Sequence, residues 1–240
     1  VDKRTIRFGI ALTYNCNMAC PGCNRFLDVS PWKDSNITLE GLQEGYERAI
    51  ACVNIEKVRV SGGEPLLHPQ FAECMNIIQN SWNKEYGGRT CVFTNGKIQP
   101  PPTKGWRYNT SSSSSKEIYF QPPMISPHDL GLEPSIPLNA GCRRQAGCGR
   151  LFDAFGFSCC MFAGAIGRLL GIDPYSPTPV IDGMYSICKH CVFAQGIKKA
   201  FALFKSANEG EFEYPTRTYK YGLQRLELYG SDTLKKFSER

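Results

Sequence analysis

Cys16-Asn17-Met18-Ala19-Cys20-Pro21-Gly22-Cys23 is the stretch on which the reading of this chain turns. It places three thiols in a Cys-x3-Cys-x2-Cys pattern, with Pro21 and Gly22 to bend the backbone between them. Thiols at such short intervals point to metal binding rather than to disulfides. Upstream, Ile6, Phe8, Ile10 and Leu12 alternate with other residues and predict a strand leading into the loop. Downstream, Leu39, Leu42, Tyr46, Ala49, Ile50 and Val53 recur at helical spacing behind a Thr38 cap.

The same alternation continues outward. Val58 to Ser61 reads as a second strand that runs into Gly62-Gly63-Glu64-Pro65. Phe71, Cys74, Met75 and Ile78 mark a second helix, and Cys91 to Thr94 a third strand ending at Asn95-Gly96. Strand–helix–strand repetition at this spacing implies parallel strands with right-handed crossovers. The cysteine loop, the Gly-Gly-Glu-Pro turn and Asn95 would then follow the C-terminal ends of successive strands. Barrel-type folds place their active sites on that rim.

The chain has 240 residues, is 42% hydrophobic and carries a net charge of +6. Its basic residues fall in isolated pairs such as Arg143-Arg144 and Lys235-Lys236, without the clustered stripe of a nucleic-acid binder. No apolar stretch approaches the roughly 20 residues of a membrane span, and no signal-peptide pattern opens the sequence. A cytoplasmic location is the expectation. Of twelve cysteines, nine cluster at 16/20/23, 142/148, 159/160 and 188/191. Cys52, Cys74 and Cys91 stand alone in apolar segments and read as buried thiols.

Beyond residue 100 the pattern weakens. Pro100 to Ser115 is rich in Pro, Gly and Ser, its five-serine run Ser111–Ser115 reads as a loop, and Glu117 to Phe120 as a fourth strand. From Gly141 the chain is rich in Cys and Gly, until Phe193, Ile197, Ala200, Phe201 and Phe204 restore a helical stripe. The expected division is a core over 1–140, a cysteine-rich region over 141–205 and a polar surface tail over 206–240.

With Cys16, Cys20 and Cys23 in a loop after the first strand and Gly62-Gly63-Glu64-Pro65 after the second, the first hundred residues resemble the radical S-adenosylmethionine (SAM) superfamily. The resemblance implies an α/β fold, a partial (β/α) barrel. It also implies a 4Fe-4S cluster held by three thiolates, with the fourth iron left for the amino and carboxylate groups of SAM. Gly62, Gly63, Glu64 and Pro65 would serve the methionyl amino group. Asn95 is either a further SAM contact or a turn residue. One departure stands out: the position before the third cysteine, commonly aromatic in the family, is Gly22, and Phe26 is an alternative neighbour for adenine.

The second half resembles the Twitch subdomain, a shortened SPASM auxiliary-cluster domain. The implied ligands of a second 4Fe-4S cluster are Cys142, Cys160, Cys188 and Cys191, with Cys148 and Cys159 as substitutes for the first two. The resemblance implies an enzyme that cleaves SAM reductively to methionine and a 5′-deoxyadenosyl radical, fed by flavodoxin or ferredoxin, and oxidises a small polar substrate. A peptide-modifying maturase, an epimerase using a spare thiol, and a non-catalytic Fe-S protein are the alternatives. No catalytic acid or base is evident; His128 and Asp129 are weak candidates.

Overall fold

Strand β1 (Thr5–Ala11) buries its C-terminal half, and Phe8, Ile10 and Ala11 lie at the centre of the core. The computed structural model describes residues 3–20, 23–27, 31–82, 90–102, 105–110, 124–135, 142, 149–181 and 184–238. Among these, β1 pairs in parallel with β2 (Asn54–Ser61) on one side and with β5 (Arg150–Asp153) on the other. Strands β3 (Thr90–Thr94) and β4 (Trp106–Thr110) extend the parallel run beyond β2. Short antiparallel strands β6 (Gly156–Ser158) and β7 (Tyr175–Ser176) complete a seven-stranded sheet in the order β4-β3-β2-β1-β5-β6-β7. The α/β class is as expected. The sheet draws strands from both the 1–140 and the 141–205 segments.

Helix α1 (Leu39–Cys52) starts where Thr38 accepts a hydrogen bond from the Gly41 N–H at 2.9 Å, and it buries Leu42, Gly45 and Ala49. Gly45 lets the helix meet β5, since a Cβ there would sit 2.0 Å from the Phe152 ring. Helix α2 (Phe71–Ile77) continues into a π-helical turn over Ile78–Trp82. Trp82 closes this layer: its indole N–H donates to Leu42 O at 3.2 Å, and its ring lies 5.2 Å from Phe8 and 5.3 Å from Phe152. Full burial of side chains of this size contributes about 1.5–3 kcal/mol each.

The opposite layer comes from the second half of the chain. Helix α3 (Met161–Leu170) packs Gly164 against Leu151 and ends at Gly171, which takes the left-handed conformation with φ of 70°. Short helix α4 (Tyr185–Cys188) and helix α5 (Ile197–Asn208) follow. Helix α6 (Arg217–Ser238), kinked at Tyr229, lies on α3, and Gly222 sits close to Leu169 and Leu170.

One strand goes beyond the sequence reading, and one expectation needs correction. Trp106–Thr110 is a strand within the Pro-, Gly- and Ser-rich stretch, where Trp106 and Tyr108 alternate with exposed Arg107 and Asn109 and the segment pairs with β3. Glu117 to Phe120 lies outside the described residues. The predicted polar tail instead contains α6, with Tyr219 fully buried and Leu226 buried beside it. Its apolar residues are spaced for one helical face, and the mean polarity of the segment masks them. Among the described residues no helix is long and apolar enough to cross a membrane.

Candidate functional site

The three strand-end signals meet. Behind β1, the Cys23 N–H donates to Cys20 O and the Phe26 N–H to Cys23 O, both at 3.0 Å, the second closing a turn over Asn24 and Arg25. Behind β2, Gly63 N donates to Thr13 O at 2.7 Å and Glu64 N to Asn15 O at 2.8 Å, docking the Gly-Gly-Glu-Pro turn on the backbone that leads to Cys16. Only glycine allows this approach. A Cβ on Gly62 would lie 2.3 Å from Thr13 O, and one on Gly63 2.2 Å from Asn15 O.

Glu64 is fully buried. Its Oε1 accepts from Leu66 N at 3.2 Å and caps a 3-10 turn over Pro65–Leu67. Its Oε2 accepts from Asn95 N at 2.7 Å, which ties the turn to the end of β3. Asn95 takes the turn role weighed for it, and its amide also faces the cysteine loop. Its Oδ1 accepts from Lys97 N at 2.9 Å as a turn residue, while its Nδ2 donates to Asn17 Oδ1 at 2.8 Å and lies 3.9 Å from Cys16 Sγ.

Sequence reasoning missed a charged network under this rim. Arg25 donates from Nη2 to Ser61 Oγ at 3.0 Å and from Nη1 to Asn24 Oδ1 at 3.1 Å. Tyr14 donates its hydroxyl to Asp153 Oδ2 at 2.5 Å, and Tyr175 donates to the same oxygen at 3.0 Å. Arg168 reaches Asp153 at 3.2 Å and also contacts the Tyr175 hydroxyl. The guanidinium carbon stands 4.5 Å from the Tyr14 ring centroid, 4.9 Å from Trp32 and 5.7 Å from Phe155. Burial opposes the charge on Arg168, but Tyr14, Tyr175 and Asp153 outweigh it and raise its pKa further. Burial likewise pushes the Tyr14 hydroxyl well above the usual phenol range. The one available signal was Arg168 itself, a charge closing the long apolar run from Ala154 to Gly167.

Phe26, the proposed neighbour of adenine, is buried with its ring 6.0 Å from that of Tyr219. A polar-walled cavity of about 460 Å³ opens beside Asp153 and Tyr175, lined also by Asn36, Thr38, Glu44 and Arg48.

The second cysteine set also converges. Cys142, Cys159, Cys160, Cys188 and Cys191 line one small pocket, closed by Ile187 and two alanines. Cys160 caps α3, accepting from Ala163 N at 3.4 Å. A hydrogen bond from Cys159 is the main cause holding the Cys160 thiol below its usual range, and Cys159 is correspondingly raised. Among the described residues no three His, Cys, Asp or Glu side chains converge as ligands of a single metal ion. The five thiols ring a space, a donor set suited to an iron–sulfur cluster. Cys148, Arg143 and Arg144 lie outside the described residues. His190, between the paired cysteines, bonds Ser126 Oγ at 2.9 Å; Asp129 accepts two bonds from Thr218, and His128 is exposed.

Residues 6–100, which include the thiol loop, the glycine turn and Asn95, match a family model described as a 4Fe-4S single cluster domain. This segment is similar to that cluster domain. The match covers both sequence motifs, and thiol donors in a short strand-end loop fit such a cluster. No curated protein matches the chain significantly. Among solved structures, BtrN in complex with AdoMet and 2-DOIA is 14% identical, with 88% of this chain and 90% of that chain covered and a TM-score of 0.43. An open conformation of BtrN is 12% identical, with 92% and 99% covered and a TM-score of 0.38. Neither likeness, at a TM-score below 0.5, bears on fold or chemistry.

Proposed function

We propose that this radical SAM protein oxidises a small polar substrate, with Cys16, Cys20 and Cys23 holding the SAM-binding cluster and Cys142, Cys160, Cys188 and Cys191 a second one. The observation that carries this reading is the gathering of five cysteines, far apart in sequence, around one pocket. When bound, the first cluster and SAM supply a 5′-deoxyadenosyl radical that removes hydrogen from a substrate carbon. The chain's own part is to bind and orient. Gly62 and Gly63 bring the turn against the cysteine loop, Glu64 and Asn95 hold that turn to β3, and Pro65 starts the 3-10 turn beyond it.

The two thiol sets are linked through α3. Cys160 caps the helix, and the next residue, Met161, has its sulfur 3.9 Å from Asn24 Nδ2, beside Cys23. Four protein thiolates would leave a second cluster no open iron and would suit it to accept the electron left on an oxidised substrate. The polar cavity beside Asp153 has the size and lining for a small polar molecule.

An epimerase is the second reading, favoured by Cys159, the fifth thiol of the pocket. The test is anaerobic purification with iron and sulfide analysis, then incubation with SAM and a one-electron reductant. About eight irons per chain and release of 5′-deoxyadenosine are expected. Iron-free protein, or iron-loaded protein that leaves SAM intact, overturns the reading.

A further inference from the structure

Arg25 is used by neither the motifs nor the buried ion pair. It lies two residues beyond Cys23, and its two hydrogen bonds fix the guanidinium between Asn24 and Ser61, the last residue of β2. The residue as a whole keeps some contact with solvent, but its Nε is sealed from water and has no partner among the described residues. A buried N–H left without an acceptor is costly.

Arg25 lies within the turn that the Phe26 N–H closes on Cys23 O at 3.0 Å, which sets it beside the thiol loop. Burial works against its charge. A guanidinium stays protonated under such a load. A cluster on Cys16, Cys20 and Cys23 becomes more negative on gaining an electron, so a fixed cation beside its ligands stabilises the reduced form more than the oxidised one.

We propose that Arg25 is a positioning residue whose fixed charge raises the reduction potential of the cluster held by Cys16, Cys20 and Cys23. The inference rests on the reading of those three cysteines as cluster ligands. It commits the charge on Arg25 to electron entry, not to substrate or SAM recognition. The hydrogen bonds to Ser61 and Asn24 are the means by which the charge is held in place.

The test is a redox titration of full-length, anaerobically purified protein, following the paramagnetic signal that changes when SAM is added. That response assigns the signal to the first cluster. Arg25→Gln keeps a hydrogen-bonding side chain and removes the charge; Arg25→Lys keeps the charge. The Gln variant is expected to favour reduction about tenfold less, equivalent to about 59 mV for one electron, with the Lys variant within about threefold of wild type. A Gln variant that stays within about twofold of wild type, with iron and SAM response intact, overturns the proposal. So does loss of iron from both variants, or weaker SAM binding at an unchanged potential. Wild-type protein without iron on these cysteines would instead sink the reading underneath.

Discussion

The carboxyl group of Glu64 accepts the backbone N–H of Asn95 at 2.7 Å, across 31 residues, and joins the ends of two neighbouring strands. The same carboxyl caps the 3-10 turn at Leu66. Removing it leaves two N–H groups without an acceptor in a fully buried place. Glu64→Ala is therefore expected to lose about 2–4 kcal/mol in urea unfolding, and Glu64→Gln less, because the amide keeps one acceptor oxygen. Equal losses in the two variants contradict this role.

Arg168 and Asp153 form an ion pair whose side chains are 1% and 0% exposed. Taking away one partner strands the other without water, at a cost of about 3–5 kcal/mol. Arg168→Met and Asp153→Leu should each fall in that range. The double variant should lose clearly less than their sum, as a double-mutant cycle on thermal or urea unfolding will show.

Asp129 caps α6 from a distant segment, accepting from Thr218 N and Thr218 Oγ, both at 2.7 Å. Burial opposes its ionisation, but these bonds, with help from Thr216 and His190, outweigh it and lower its pKa below the ordinary value of 3.8. A depressed carboxyl contributes stability above its unfolded pKa and loses it as pH falls through the folded one. Asp129→Asn should cost about 0.5–1 kcal/mol near neutrality, a modest value because the site is partly solvated. The gap to wild type should close below about pH 4, measured as the urea midpoint against pH.

Cys159 and Cys160 are adjacent but unequal, with Cys160 the depressed thiol of the pair. Cys188→Ala and Cys160→Ala are expected to halve the iron content to about four per chain, while Cys159→Ala keeps about eight. The last variant also separates the two functional readings. A dehydrogenase keeps turning over without Cys159, whereas an epimerase stops at a trapped substrate radical.

The sequence by itself determined the parallel α/β order, both cysteine groupings and the Gly-Gly-Glu-Pro turn. Each depends on residues close in the chain: strand alternation is a period of two, and a thiol loop needs short spacing to surround a cluster. The resemblance to the Twitch subdomain implied Cys142, Cys160, Cys188 and Cys191 as one ligand set; in the fold these four line one pocket with Cys159.

Only the tertiary structure decided the rest. Strand β4 alternates Trp106 and Tyr108 with exposed Arg107 and Asn109, but over only five residues behind a Pro- and Gly-rich stretch, and pairing with β3 fixes it as a strand. Tyr14 meets Asp153 across 139 residues, and Arg25 meets Ser61 across 36. No periodicity records such a pair, because a buried charge is set by what the fold packs around it. The same reason hid the role of Glu64. Its motif was plain, but two backbone N–H donors from different elements claim its oxygens only once the strands lie side by side.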